Sequence, residues 1–379
     1  MYPRQQLAHK RPRQQGFSLI ELMVGLVVSM LCMLAIMAAF AVYEGKKRTT
    51  TTTNDAQQNG SYAMYVLERQ LRTAGASIVQ GYNYGVWGCP VTAYTSGTQT
   101  LPITGTLPAP FTSSGWPAIT LLMPVLIAYG GGNTPDTIGV VGGNPAMQVF
   151  KIPVTSVPST NSVVVSNNLG IFSGDYVLGV LSNGNCTLAH VPTATPTAQV
   201  AGTTFTLDTT NSAPNGLQTA NYLFDFGSSP AFTLFGIDTS ALNLVSYDLL
   251  QRPVNGNAAA VTPLAEGVVQ MKALYGVQPA GSSSVQWVQP TGTWSIATLT
   301  ASASAASNAM KQIKAIRVAI VTQSRLPERS SDYVGLPTLT LFPDLPTSVQ
   351  YTINTNTQYR YKVYDTTIPV RNALVAKYY

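Results

Sequence analysis

From Phe17 to Tyr43 the chain is almost wholly apolar and has no proline, and this run constrains the fold more than any other segment. Its ~27 residues rise 1.5 Å each as a helix, roughly 40 Å in all, which exceeds the ~30 Å hydrocarbon core of a bilayer. A helix that is apolar all round has to be covered by lipid or by other protein. One carboxylate, Glu21, interrupts the run near its start. An ionised group there costs at least ~2.5–3.5 kcal/mol on insertion scales, so such residues usually have a partner and a role. Ser18 and Glu21 also have the S-x-x-E spacing of a capping box, in which Glu21 closes the start of its own helix.

The run follows a short basic leader, and the junction reads Gly16-Phe17-Ser18-Leu19-Ile20-Glu21. A polar leader ending in glycine, then phenylalanine, a small hydroxylated residue, two aliphatics, glutamate and a long apolar stretch resembles the class III signal of type IV pilins and pseudopilins. The resemblance implies cleavage between Gly16 and Phe17 by a prepilin peptidase and N-methylation of the new amino terminus at Phe17. It also implies an assembly charge contact, in which Glu21 neutralises the positive amino terminus of a neighbouring subunit in the membrane. The capping role and the assembly role are compatible.

Removing residues 1–16 leaves 363 of the 379 residues, enough for one large domain or two small ones. The formal charge of +6 shrinks on dissection: Arg4, Lys10, Arg11 and Arg13 lie in a leader with no acid, leaving 17 basic residues against 15 acidic, or +2. A balance this even gives no support for nucleic-acid binding. Only 9% of residues are charged while Thr, Ser, Asn, Gly and Pro abound, which suits a β-rich exported domain; an apolar share of 45% excludes a disordered one. Lys46, Lys47 and Arg48 beyond the apolar run oppose the leader's charges, so charge bias alone leaves the topology open.

Of the three cysteines, Cys32 sits in the apolar run as a small apolar residue, while Cys89 and Cys186 lie beyond it. In an oxidising compartment those two can pair, closing a long loop with up to ~4–5 kcal/mol of chain-entropy stabilisation; two free thiols are the alternative.

Past the membrane run, Gly45 and Thr49 to Thr53 are poor helix formers and predict a kink or a melted turn. Helical spacing then returns at Gly60, Met64, Leu67, Leu71 and Ala74, with Glu68 four residues before Arg72. Met64, Leu67, Leu71 and Ala74 are the candidates for packing the helix on its own globular domain, and contacts to neighbouring helices in a fibre are the sharper alternative. Gly75 ends the helix. Short segments rich in β-branched or aromatic residues follow, among them 149–154, 163–165, 176–181, 204–207, 222–226 and 242–250. Residues 92–114 and 295–307 are biased toward small residues and read as surface loops. Ile316, Val318 and Ile320 alternate as in a half-buried strand, which pairs antiparallel with residues 272–277 to form a sheet for the amino-terminal helix.

The inventory for catalysis is thin. His190 is the sole histidine after the leader, no Gly-x-Ser-x-Gly elbow occurs, and Leu188 to Val191 reads as strand, so His190 is a polar residue on a sheet surface. No usual zinc spacing is present; Asp136, Asp175, Asp225 and Asp238 would serve calcium only if the fold gathered them, and loop solvation is the plainer reading. Gly130-Gly131-Gly132 lacks a P-loop lysine and reads as a turn. Tyr82, Tyr84, Trp87 and Trp116 fit core packing or partner contact, with no basic cluster nearby to favour DNA. No enzyme activity, cofactor or metal is expected.

Gln58-Asn59-Gly60, Leu67, Leu71-Arg72, Ala74-Gly75, the 264–277 segment, the Ile316 strand, Arg360 and Val370-Arg371-Asn372 narrow the resemblance to the PilW family of minor type IV pilins. Residues 92–260 share only general character with that family and point to no ligand. The implied fold is α+β and type IV pilin-like: a long helix, transmembrane and then amphipathic, packed on an antiparallel β-rich globular domain. Its expected boundaries are a leader at 1–16, a transmembrane assembly helix at 17–43, a periplasmic continuation at 44–76 and the globular domain at 77–379. The implied function is that of a low-abundance subunit of a tip or priming complex, which starts pilus assembly, counteracts retraction and supports adhesion and twitching motility. Its partners would be other minor pilins, the major pilin, prepilin peptidase, the inner membrane and a tip adhesin, with no nucleic acid. A minor pseudopilin of type II secretion, a signal-anchored periplasmic binding or adhesive domain, and a subunit of a DNA-uptake pilus are the alternatives.

Overall fold

The computed structural model describes residues 16–79, 84, 86–103, 105–113, 115–117, 121–147, 151–192, 204–214, 216–251, 260–330 and 333–372. Leader residues 1–15 and Tyr82, singled out above, lie outside them. The chain divides into two compact units, one up to Thr52 and one from Thr53 onward.

One helix, Leu19–Thr73, contributes to both units. It is one continuous helical element, so the melted turn expected at residues 45–53 is corrected. The threonines there return their hydroxyls to the preceding turn: Thr49 Oγ1 donates to the Gly45 carbonyl at 3.2 Å, Thr50 to Lys46 at 3.0 Å and Thr52 to Arg48 at 3.1 Å. That local satisfaction offsets their weak intrinsic propensity. In the first unit the apolar side chains of the helix all stand exposed, from Leu19 at 77% to Tyr43 at 64%, and the segment is long and apolar enough to cross a membrane.

The second unit is β-rich. A four-stranded antiparallel sheet runs in the order Gln286–Val288, Val268–Val277, Ile313–Gln323, Tyr361–Pro369. A five-stranded antiparallel sheet runs Thr262–Glu266, Asn243–Asp248, Ala231–Asp238, Thr137–Gly142, Val125–Ala128. An eight-stranded sheet carries Thr98–Leu101, Val91–Thr95, Cys186–His190, Tyr176–Leu181, Ala220–Gly227, Ile152–Ser159, Ser162–Val165 and Thr204–Thr206, with one parallel pairing, between Val91–Thr95 and Cys186–His190. A hairpin of Thr338–Leu341 and Tyr351–Asn354 completes the described strands.

The predicted antiparallel pairing is present, with Leu274 opposite Arg317 and Tyr275 opposite Ile316. Its half-buried character is not. Ile316, Val318 and Ile320 join the main core, while Ala319 and Val321, on the opposite face, are equally inaccessible in a second cluster with Leu341, Phe342 and Tyr351. The Thr338–Asn354 hairpin covers the face that alternation alone assigns to water.

Both segments read as surface loops carry regular elements in part, while residues 105–110 are irregular as expected. Val91–Thr95 and Thr98–Leu101 form a hairpin through Ser96 and Gly97, whose φ values of 49° and 76° suit the tight turns that match strand twist. Residues 295–307 instead start two helices, Ile296–Leu299 and Ala303–Gln312, capped by Ser295 on Thr298 N and Ser302 on Ala305 N, and they bury Leu299, Ala306 and Met310. Small residues there serve close packing and capping rather than loop formation.

Candidate functional site

At the amino-terminal junction Gly16, Phe17 and Glu21 are exposed, Phe17 at 87%. Ser18 N donates to Glu21 Oε2 at 3.2 Å, and Leu22 N to the Ser18 carbonyl at 3.1 Å. Within one chain the carboxylate therefore serves a free amide of the first helical turn, as in one arm of a capping box. Cys32 is a free thiol on the same exposed apolar surface.

In the second unit the helix has a closed inner face. Ala63, Leu67, Leu71 and Ala74 are fully inaccessible and Met64 nearly so. Gly60 lies under the ring of Tyr364, where an added Cβ would stand 2.2 Å from Cε2, and the Tyr364 hydroxyl donates to the Gln57 carbonyl at 2.9 Å. At the helix end Gly75 has a φ of 75°, and its N–H donates to the Val141 carbonyl at 2.8 Å. Asn372 Nδ2 donates to the Ala74 carbonyl at 2.8 Å. Strands from two sheets and the carboxyl-terminal segment thus fix the last turns. The outer face keeps Tyr62 and Tyr65 more than half exposed. Glu68 and Arg72 pair at the surface, a contact of small energetic weight.

Cys89 and Cys186 are bonded, with a Cα–Cα distance of 5.8 Å and a sequence separation of 97. Cys186 N donates to the Pro90 carbonyl at 2.9 Å beside the parallel strand pairing, so backbone and sulfur fasten the same corner.

Sequence reasoning missed a buried ion pair. Lys272 Nζ stands 2.9 Å from Asp136 Oδ1, both side chains being wholly inaccessible. The Gly131 and Thr134 carbonyls also accept from Nζ, the latter at 2.7 Å, so the triglycine turn is a backbone cage for a cation. Gly130 N and Ala273 N, each at 3.0 Å, donate to the two carboxylate oxygens. Burial pushes the Asp136 carboxyl up and the Lys272 ammonium down, against their mutual attraction. The available signal was one lysine in the otherwise apolar strand Val268–Val277, where Gln270 is the other polar residue.

The remaining polar candidates are dispersed. His190 Nδ1 lies 3.2 Å from Asp208 Oδ2 and its backbone N–H donates to Ser212 Oγ at 3.1 Å, so the serine oxygen is engaged by main chain rather than placed on the ring. Burial pushes the Asp208 carboxyl up, yet donors from Thr210, Asn211 and His190 hold it below the usual range. Asp238 serves a local turn at Ser240, and Asp136 serves Lys272. Asp225 is nearly inaccessible, and burial, reinforced by the nearby Asp175, pushes its carboxyl up to about 7 despite a bond from Gly227 N. No group of three His, Cys, Asp or Glu side chains suited to a metal occurs among the described residues. Trp87 is buried with Nε1 on the Ile78 carbonyl, Trp116 Nε1 donates to Thr137 Oγ1, and Tyr84 packs on Tyr222 under the Lys151 ammonium.

Residues 11–37 match the family model described as Prokaryotic N-terminal methylation motif. With the exposed apolar helix and the antiparallel β-rich unit, this defines a membrane-anchored, type IV pilin-like protein of the α+β class. The chain is more narrowly PilW-like: residues 234–372 match the model described as Type IV Pilus-assembly protein W, from the five-stranded sheet through the whole four-stranded sheet to Asn372. Comparison with curated proteins gave no match. Among solved structures, the type IV-like pilin TTHA1219 from Thermus thermophilus is similar at 10% identity, with 53% of this chain and 86% of that chain covered and a TM-score of 0.21.

Proposed function

We propose that the chain is a minor pilin of a priming or tip complex, which starts pilus assembly, opposes retraction and through it supports adhesion and twitching motility. The observation that carries this reading is the exposed apolar helix behind the Gly16–Phe17 junction, a surface that requires lipid before assembly and other helices after it. Prepilin peptidase cuts between Gly16 and Phe17, the new amino terminus is methylated, and Glu21 meets the amino terminus of a neighbouring subunit. The local bond from Ser18 N is compatible with this, because a carboxylate has several acceptor sites. A bonded Cys89–Cys186 pair supports placing the β-rich unit in the oxidising periplasm. The proposed partners are other minor pilins and the major pilin, with a tip adhesin presented beyond them.

Two measurements on the native host test the reading. The mature chain is expected to begin at N-methylated Phe17 by mass spectrometry. Cells lacking it are expected to lose surface pili and to regain some when retraction is also disabled. A retained leader, or normal piliation without the chain, would overturn it.

A further inference from the structure

The buried Lys272–Asp136 pair is not used by the proposed function, and its surroundings are unusual for an ion pair. Nζ and Oδ1 are 2.9 Å apart with neither side chain reaching solvent. Tyr129 and Tyr351 close the site, their ring centroids 5.0 Å and 4.9 Å from Nζ. The Tyr351 hydroxyl, itself buried, has no hydrogen-bond partner among the described residues. Backbone amides hold both carboxylate oxygens, Gly130 N on Oδ1 and Ala273 N on Oδ2, so the carboxyl carbon is fixed and polarised beside the amine. Acceptors at the Gly131 and Thr134 carbonyls orient the nitrogen. A dry, immobilised amine and carboxyl at contact distance have the proximity that condensation needs.

We infer that Lys272 and Asp136 are a self-modification site, at which the two side chains join as an isopeptide bond after folding. Nζ attacks Cγ, the Nζ–Cγ bond forms, and the Cγ–Oδ1 bond breaks. Oδ1 leaves as water with two of the three ammonium hydrogens, and nothing is oxidised or reduced. The Ala273 amide that already binds Oδ2 stabilises the charge gathering there during attack and keeps the product carbonyl. The remaining N–H keeps the Thr134 carbonyl. Burial raises the Asp136 carboxyl and lowers the Lys272 ammonium, so it eases the transfer of one proton from Nζ to Oδ1 that frees the amine to attack. The product ties the residue preceding Thr137–Gly142, in the five-stranded sheet, to the middle of Val268–Val277, in the four-stranded sheet, across 136 residues of chain. Such a link would resist pulling in a subunit that transmits load.

The test is the denatured, reduced mass of the full mature protein purified from its host, compared with the mass calculated from its determined amino terminus. The protein is expected to be lighter by one water, with a branched peptide joining the Asp136 and Lys272 fragments after digestion. Lys272→Arg should restore the full mass, and Asp136→Asn should convert the loss to one ammonia. A wild-type protein at full mass, or a water loss mapping to another position, would overturn the inference without any variant having to fold.

Discussion

Two stretches of the same helix behave as different materials. Residues 19–43 expose apolar side chains all round, whereas residues 53–73 show water a polar and aromatic face and bury a stripe at Ala63, Leu67 and Leu71. Backbone geometry is common to both, so side-chain chemistry alone makes the difference. Where every direction is apolar, no fold of one chain can cover the surface, and the covering has to come from a bilayer or from other subunits. Where apolar residues recur at spacings of three and four, one domain suffices. Even the glycines differ. Gly25 and Gly45 have open space around them, while Gly60 makes room for an aromatic ring.

The largest expected effect breaks that comparison at two leucines. Leu71→Ala empties a fully buried site and should lower the unfolding free energy by about 2–5 kcal/mol in denaturant titrations of the detergent-solubilised protein. Leu34→Ala, at a site 59% exposed, should stay within about 0.5 kcal/mol. Equal effects would mean that both stretches are packed within one chain.

Next comes the charge. Glu21→Ala should leave the protein folded and accumulating in the membrane yet cut its incorporation into sheared pili roughly a hundredfold, if an unpartnered intramembrane charge costs ~2.5–3.5 kcal/mol. Normal incorporation would reduce Glu21 to a helix cap. A somewhat smaller effect concerns pH and belongs to the packed unit alone. Asp225 keeps its proton to about pH 7 when folded, whereas the unfolded chain releases it near pH 4, so the folded state binds more protons between these values. Stability should therefore fall by about 2–3 kcal/mol from pH 5 to pH 8, and Asp225→Asn should flatten that slope. An unchanged slope in the variant would assign it to other groups.

The smallest effect sharpens the contrast between glycines. Gly60→Ala should destabilise by about 1–3 kcal/mol, because the added methyl meets Tyr364, despite the better helix propensity of alanine. Gly45→Ala, with nothing within 4 Å, should be neutral or slightly stabilising. The same sign at both positions would remove Tyr364 from the joint.

Legibility followed the range of the interaction. The helix stripe, the Gly75 stop and the Val268–Val277 pairing with Ile313–Gln323 rest on patterns a few residues long, and each could be read directly. Composition assigns residues 92–114 and 295–307 to loops, and it fails where capping and turn chemistry outweigh it: Ser295 and Ser302 sit where helix starts require them, and Ser96-Gly97 is a hairpin turn. The threonine run was misread for a related reason, since its hydroxyls satisfy the helix that propensity alone counts them against.

By itself the sequence determined a membrane-length helix, a prepilin-type junction around Gly16, Phe17 and Glu21, and a β-rich remainder. Those follow from local periodicity and from the cost of placing apolar surface in water. Only the tertiary structure decided that both faces of the Ile313–Gln323 strand are buried, that Tyr364 needs a glycine opposite it, and that Lys272 finds Asp136 inside a cage of turn carbonyls. The last two depend on partners more than a hundred residues away and the first on the separate Thr338–Asn354 hairpin, and no local pattern encodes which distant group will arrive to satisfy a buried charge.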